Sequence, residues 1–219
     1  SYHYPQGEFP YTWLREENAR RGRDQPEFEL EDTGVFAEGR YFEVAVEYAK
    51  AGPNDLLIEI AVKNCGPEKA ALHLLPTLWF RNTWSWGCKH EGCEVKPRMK
   101  QVAPGRVQTD HTTLGRCFWE SDPVNGQPAN LLFTENESNL NRLFGAENVG
   151  PYVKDGIDDY VVHGRTGAVN PKATGTKVAA HHRLELSPGE TQVMRLRLYS
   201  EEETPKERFG RAFARVMKT

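Results

Sequence analysis

The stretch that decides the fold runs from Tyr41 to Asn64, YFEVAVEYAKAGPNDLLIEIAVKN. Phe42, Val44, Val46 and Tyr48 alternate with Glu43, Ala45 and Glu47. After the turn at Gly52-Pro53-Asn54-Asp55, Leu56, Ile58, Ile60 and Val62 alternate with Leu57, Glu59, Ala61 and Lys63. Successive side chains of a strand point to opposite faces, so a period of two predicts two strands joined by a tight turn, each with one buried face. A second turn at Asn64 to Glu68 leads to Leu72, Leu74, Leu78 and Phe80, extending the pattern to an antiparallel meander.

Working outward, the same signature returns near the far end. Val178, Ala180, His182, Leu184 and Leu186 share one face, Ser187-Pro188-Gly189-Glu190 makes a turn, and Met194, Leu196 and Leu198 share a face of the returning strand. Shorter strands are expected near 105–110, 113–121 and 129–135, and a short helix between Glu137 and Asn148. Asp155 to His163 fits either a helical turn or a loop. Thr204-Pro205-Lys206-Glu207 has the order of an N-cap, a first-turn proline and a capping-box glutamate. Phe209, Phe213, Val216 and Met217 would then form an apolar stripe in need of a partner surface. The expected class is all-β: a large antiparallel β-sandwich over 41–202 with a few short helices. Residues 1–40, polar and broken by Pro5, Pro10 and Pro26, are expected as an extended segment packing on the sandwich, and 203–219 as the start of a C-terminal linker helix.

The 219 residues suffice for one large sandwich core. Apolar residues at 38%, charged residues at 27% and a net charge of -3 describe a globular chain without the basic excess of a nucleic-acid binder. No apolar run approaches the roughly 20 residues that cross a membrane. Neither nucleic acid nor membrane is therefore an expected partner. The chain opens on Ser1-Tyr2-His3 with no initiating Met and no signal segment, as expected of a piece of something longer. Four cysteines are no disulfide framework for a domain of this size, which points to the cytoplasm.

Glycine-rich phosphate loops, His-Glu-x-x-His helices and serine elbows are absent from the sequence. Neighbouring residues on a strand face opposite ways, so His181 and His182 cannot jointly chelate one metal, and one core and one surface histidine are expected. Cys88 and Cys93 with His111 or Cys117 could clasp zinc; free thiols or a local disulfide are the plainer readings, and no metal or cofactor is expected. The carboxylates fall mostly in charge runs. None forms an evident pair of the kind glycosidases place about 5–10 Å apart, Glu135 and Asp155 being the remaining candidates, and no catalytic residue is assigned.

The sharpest local feature is Leu78-Trp-Phe-Arg-Asn-Thr-Trp-Ser-Trp-Gly87, with three of the five tryptophans. Sugars stack their C–H faces on indole rings while Arg and Asn hydrogen-bond hydroxyls, which makes Trp79, Arg81, Asn82, Trp84 and Trp86 the candidate substrate-rim residues. The same tryptophans could instead plug the sandwich end or dock another domain.

Several motifs together resemble a known family. They are Tyr4-Pro-Gln-Gly-Glu-Phe-Pro-Tyr11, Asp32-Thr-Gly-Val-Phe36 with Arg40-Tyr-Phe42, and Val46-Glu-Tyr-Ala-Lys50. With them go Leu72-His-Leu-Leu-Pro-Thr-Leu-Trp-Phe-Arg-Asn-Thr-Trp-Ser-Trp86, Thr134-Glu-Asn136 with Arg142-Leu-Phe-Gly145, and Pro151-Tyr-Val-Lys-Asp-Gly-Ile157. The chain resembles the bacterial glucosidase-like proteins related to mannosyl-oligosaccharide glucosidase, glycoside hydrolase family 63. The resemblance implies a galactose-mutarotase-like β-supersandwich followed by an (α/α)6 barrel that hydrolyses α-glucosidic bonds with inversion and holds both catalytic carboxylates. It makes this chain the non-catalytic β domain. Its implied partners are a C-terminal (α/α)6 catalytic domain of the same chain and an oligosaccharide substrate. A free-standing carbohydrate-binding module and a mutarotase-like sugar enzyme are the competing readings.

Overall fold

The structure, a computed structural model, describes residues 1–87, 90 and 92–218. In chain order its elements are β1 (Tyr2–Pro5), α1 (Tyr11–Arg20), β2 (Tyr41–Gly52), β3 (Asp55–Asn64), β4 (Ala70–Leu74), β5 (Thr77–Trp79), β6 (Arg98–Ala103) and β7 (Arg106–His111). They continue with β8 (Gly115–Ser121), β9 (Asn130–Thr134), α2 (Leu140–Phe144), α3 (Gly156–His163), β10 (Thr174–Gly175), β11 (Lys177–Leu186), β12 (Thr191–Ser200) and α4 (Arg211–Met217). One sheet has the order β1-β2-β3-β12-β8-β7-β6-β10; in the other β11 pairs with β4, β5 and β9. The protein is an all-β antiparallel sandwich with a few short helices.

The chain divides into two compact units, one of 1–46, 60–72 and 183–193, the other of 47–59, 73–182 and 194–219. In the first, β1 pairs with β2 in the register Tyr4↔Phe42, and Phe42 is buried. Its polar hub is the buried Asn64 side chain. The amide donates to the carbonyls of Glu68 (2.7 Å) and Leu186 (2.9 Å) and accepts from Gly66 N (2.8 Å) and Gln6 Nε2 (2.6 Å). Such complete satisfaction is what permits a buried amide.

The second unit is built on the β12-β8-β7-β6-β10 ladder, with Leu198 opposite Trp119 and Trp119 opposite Val107. Pro76 has no N–H to give and separates β4 from β5, while its carbonyl still accepts from Ala180 N at 2.9 Å. Helix α3 lays Ile157 against Leu132 of β9 and Ala179 of β11, which resolves the ambiguous stretch as helix. Gly175 is obligatory in this neighbourhood: a Cβ there would lie 2.3 Å from the carbonyl oxygen of Thr134.

Along β11 Val178, Ala180, His182, Leu184 and Leu186 are all buried as the sequence pattern expects, and Ala179, off that face, is buried as well. Elsewhere the alternation misleads. Of the face expected on β2, Phe42 is buried but Val46 and Tyr48 are exposed. In β3 the buried residues are Asp55 and Leu57, then Ile60, Val62 and Asn64, while Leu56 and Ile58 are only half-buried. The phase changes between Leu57 and Ile60, where the chain passes from one unit to the other. A matching change in β12 buries Met194 and Leu196, then Arg197 and Tyr199, and leaves Leu198 half-buried.

Two terminal expectations are corrected. Residues 1–40 are not simply extended, since they contain β1 and the ten-residue α1. No α1 residue is buried, so no apolar period marks it. The helix is held by good helix formers, by Glu17 pairing with Arg20 (2.6 Å) and Arg21 (3.0 Å), and by Asn18, whose amide brackets the main chain of Phe28. At the other end Thr204 donates its hydroxyl to Glu201 O (2.7 Å) and caps nothing; the helix begins at Arg211. The physical reason is Arg197, whose guanidinium takes the carbonyls of Glu207 (3.0 Å) and Arg208 (2.8 Å). Helix α4 also does not present the expected free stripe, because Phe213 is fully buried and Phe209 and Val216 are half-buried.

Glu207 instead caps α4 from outside, accepting from Arg211 N (3.1 Å) and Ala212 N (3.2 Å). Glu207→Ala is expected to cost about 1 kcal/mol, as loss of an N-terminal cap does. A urea titration should show a lower midpoint with an unchanged slope.

Candidate functional site

Strand β5 ends at Trp79, and the loop after it carries Arg81, Asn82, Trp84 and Trp86. Two asparagines fix this loop. Asn82 Nδ2 donates to Asn136 O (3.2 Å), and Asn136 Nδ2 donates back to Phe80 O (2.9 Å). Asn82 Oδ1 accepts from the Ser85 hydroxyl (2.7 Å) and main-chain N–H (3.3 Å), the short-range turn that asparagine favours. The Thr83 hydroxyl donates to Cys93 O at 3.0 Å.

All five residues singled out from the sequence line one cleft of about 650 Å³, together with Asn136, Glu137, Leu140, Val149 and Lys154. Trp79 is 56% exposed and Trp86 62% exposed, with the Arg81 guanidinium 5.1 Å from the Trp86 ring centre. Trp84 is half-buried and aimed inward, its indole N–H donating to Glu137 Oε1 at 3.0 Å. The two exposed indoles are therefore open to a ligand, and the third is part of the wall.

Glu137 is the residue that sequence reasoning missed. Its carboxylate is buried, receives Lys96 Nζ at 2.8 Å and Trp84 Nε1, and so links three distant segments. Lys96 also reaches Glu135 at 3.2 Å and lies 5.7 Å from the Trp84 ring centre. Burial alone would raise the Glu137 pKa; the hydrogen bonds from Lys96 and Trp84 and the charge of Lys96 outweigh it and hold the carboxyl below 4.5. A group held ionised in this way orients Trp84 and is not a poised proton donor. Glu137→Gln keeps an acceptor for Trp84 but loses the charge, and is expected to cost about 1 kcal/mol at neutral pH. Because the folded-state pKa is depressed, that contribution is present above 4.5 and disappears as pH falls through the lower folded value. Stability curves of the wild type and the variant should therefore converge in acid.

The other candidates are tied up elsewhere. Glu135 accepts from the Thr176 hydroxyl (2.7 Å), and Asp155 accepts from Asn139 and Arg142, the latter at 3.2 Å. His182 is buried, with Ser121 Oγ 3.4 Å from its Nε2, whereas His181 is half-buried and touches His73 of β4, Nδ1 to Nε2 at 2.8 Å. Burial lowers the pKa of both, with His73 adding to the effect at His181 and His181 adding to it at His182. Among the described residues neither ring hydrogen-bonds a carboxylate, the convergence that mutarotase-like chemistry would need.

Cys65 and Cys117 are free, and Cys93 is disulfide-bonded, which leaves its sulfur no thiolate for zinc. Cys88 lies outside the described residues. The disulfide also removes part of the ground for expecting a cytoplasmic protein. Among the described residues no three His, Cys, Asp or Glu side chains group to hold a metal, and no helix is long and apolar enough to cross a membrane.

No family model matches the chain. An uncharacterized protein of Saccharomyces cerevisiae is 33% identical over 224 residues, an alignment covering 89% of this chain and 20% of that protein. The chain thus spans about a fifth of the length of that relative. Among solved structures, a polysaccharide lyase superposes with a TM-score of 0.44 and 10% identity, over 74% of this chain and 20% of the lyase chain.

Proposed function

We propose that this chain is a carbohydrate-contacting β-sandwich domain whose tryptophan cleft receives part of an oligosaccharide. Its wider role would be that of the non-catalytic β domain of a glucosidase-like glycoside hydrolase, beside a barrel that hydrolyses α-glucosidic bonds. One observation carries the first statement: Trp79 and Trp86 stand exposed in a cleft of about 650 Å³ whose wall is fixed by the Asn82–Asn136 clamp and the Trp84–Glu137 hydrogen bond. Exposed indoles lose little freedom on stacking against a sugar ring, and a wall already ordered lowers the cost of binding. The family resemblance of the motifs around residues 72–86 supports the second statement.

Calorimetric titration of the chain with malto- and nigero-oligosaccharides tests the cleft. Saturable binding at one site is expected, and absence of binding to either series counts against it. Sequencing the reading frame past Thr219 tests the hydrolase setting. A helical-hairpin array with a carboxylate pair is expected there, and a frame without one would take the barrel out of the proposal.

A further inference from the structure

The charge around the cleft is lopsided. Lys177 stands opposite Trp79 in the β11–β5 ladder, so the two side chains leave the same face. Its ammonium donates to the main-chain carbonyl of Lys154 at 2.9 Å and not to a carboxylate. Lys154 and Arg81 themselves line the cleft. Among the described residues Arg81, Lys154 and Lys177 form no ion pair, and every carboxylate close by is already engaged. Glu137 and Glu135 are held by Lys96 at 2.8 Å and 3.2 Å, and Asp155 by Arg142 at 3.2 Å. Burial first, and the charge of Lys154 second, push the Lys177 pKa down, outweighing the opposing pull of Asp155, which Lys177 does not reach as an ion pair.

One unpaired surface lysine is ordinary. Three cations gathered beside two exposed indoles outweigh the one carboxylate charge left over where Lys96 serves both Glu135 and Glu137, and form a net positive field that a neutral sugar leaves unused. Building on the saccharide reading of the cleft, we infer that the sugar bound here carries an anionic substituent of the kind a uronic acid provides. Arg81 and Lys154, which line the cleft, would receive its carboxylate, with Lys177 adding charge beside them, while Trp79 and Trp86 take its ring faces. A guanidinium can meet a carboxylate with two parallel N–H donors, and the ammoniums add point charge.

The test is a titration of the chain with maltotriose, trigalacturonate and citrate at about 0.01 M ionic strength, where screening acts only beyond about 30 Å. Trigalacturonate is expected to bind about tenfold more tightly than either of the others. Its advantage over maltotriose should vanish at about 1 M salt, where the screening length is about 3 Å. It should also fall several-fold in Arg81→Gln and in Lys154→Gln, and stay unchanged in Arg183→Gln, whose side chain pairs with Glu185 at 3.5 Å outside the cleft. Equal affinity for maltotriose and trigalacturonate would overturn this inference while leaving the saccharide cleft in place. Citrate binding as tightly as trigalacturonate would mark a plain anion site and overturn the inference too. Binding of none of the three would remove the saccharide reading itself.

Discussion

Asp55→Ala is expected to destabilise the protein by about 3–5 kcal/mol, the cost of leaving a buried charge without its partner. Asp55 and Arg197 are 6% and 5% exposed, and the guanidinium grips the carboxylate with two bonds, Nε to Oδ1 at 2.8 Å and the terminal nitrogen to Oδ2 at 2.6 Å. Arg197 spends its other terminal nitrogen on the carbonyls of Glu207 and Arg208, so the pair also anchors the segment leading into α4. Removing the carboxylate strands the guanidinium, and the loss should spread to Phe213, which that segment delivers to its buried place. The double variant Asp55→Leu with Arg197→Met should recover much of the loss, because it removes both charges together. Urea titrations of the three variants measure this. A cost for Asp55→Ala below about 1 kcal/mol, typical of exposed pairs, would show that the pair is solvated in solution.

The second large effect falls on binding. With Trp79 and Trp86 both changed to alanine, saccharide affinity should drop about 100-fold, since each stacked indole contributes on the order of 1–2 kcal/mol. Both rings are more than half exposed, so the double variant should keep its stability to within about 0.5 kcal/mol. That separation identifies a contact residue. Trp84 should behave differently: replacing it removes the donor that Glu137 accepts and the ring beside Lys96, so folding and binding weaken together. An affinity unchanged in the Trp79/Trp86 double variant would place any sugar elsewhere on the protein.

Much of the framework was legible because local pattern and burial coincide. On β11 the alternating residues from Val178 to Leu186 enter the core, joined by Ala179, which packs against Ile157 of α3. The pattern failed where three apolar residues run together: in Leu56-Leu57-Ile58 either phase is plausible, and the buried pair of Asp55 and Arg197 decides it from residues distant in sequence. Helix α1 left no trace because it buries nothing, and the start of α4 was displaced by a guanidinium on another strand. The cleft was half visible. Its aromatic side is one continuous segment, Trp79 to Trp86, whose composition announces it. Its polar side is not, because Lys96, Glu137, Lys154 and Lys177 come from separate stretches that only the strand order and the Asn82–Asn136 clamp bring near it. The contact of His73 with His181 was hidden for the same reason.

The five tryptophans offer a direct test of where a saccharide sits. Each indole N–H gives its own nuclear magnetic resonance signal, and the set spans buried Trp119, half-buried Trp84 and exposed Trp13, Trp79 and Trp86. Titration with maltotriose and trigalacturonate, following the assigned signals, is expected to move those of Trp79 and Trp86 saturably and to leave Trp13 and Trp119 in place. Shifts confined to Trp13, or no shift of Trp79 and Trp86 under either sugar, would contradict the assignment of this cleft as the carbohydrate site.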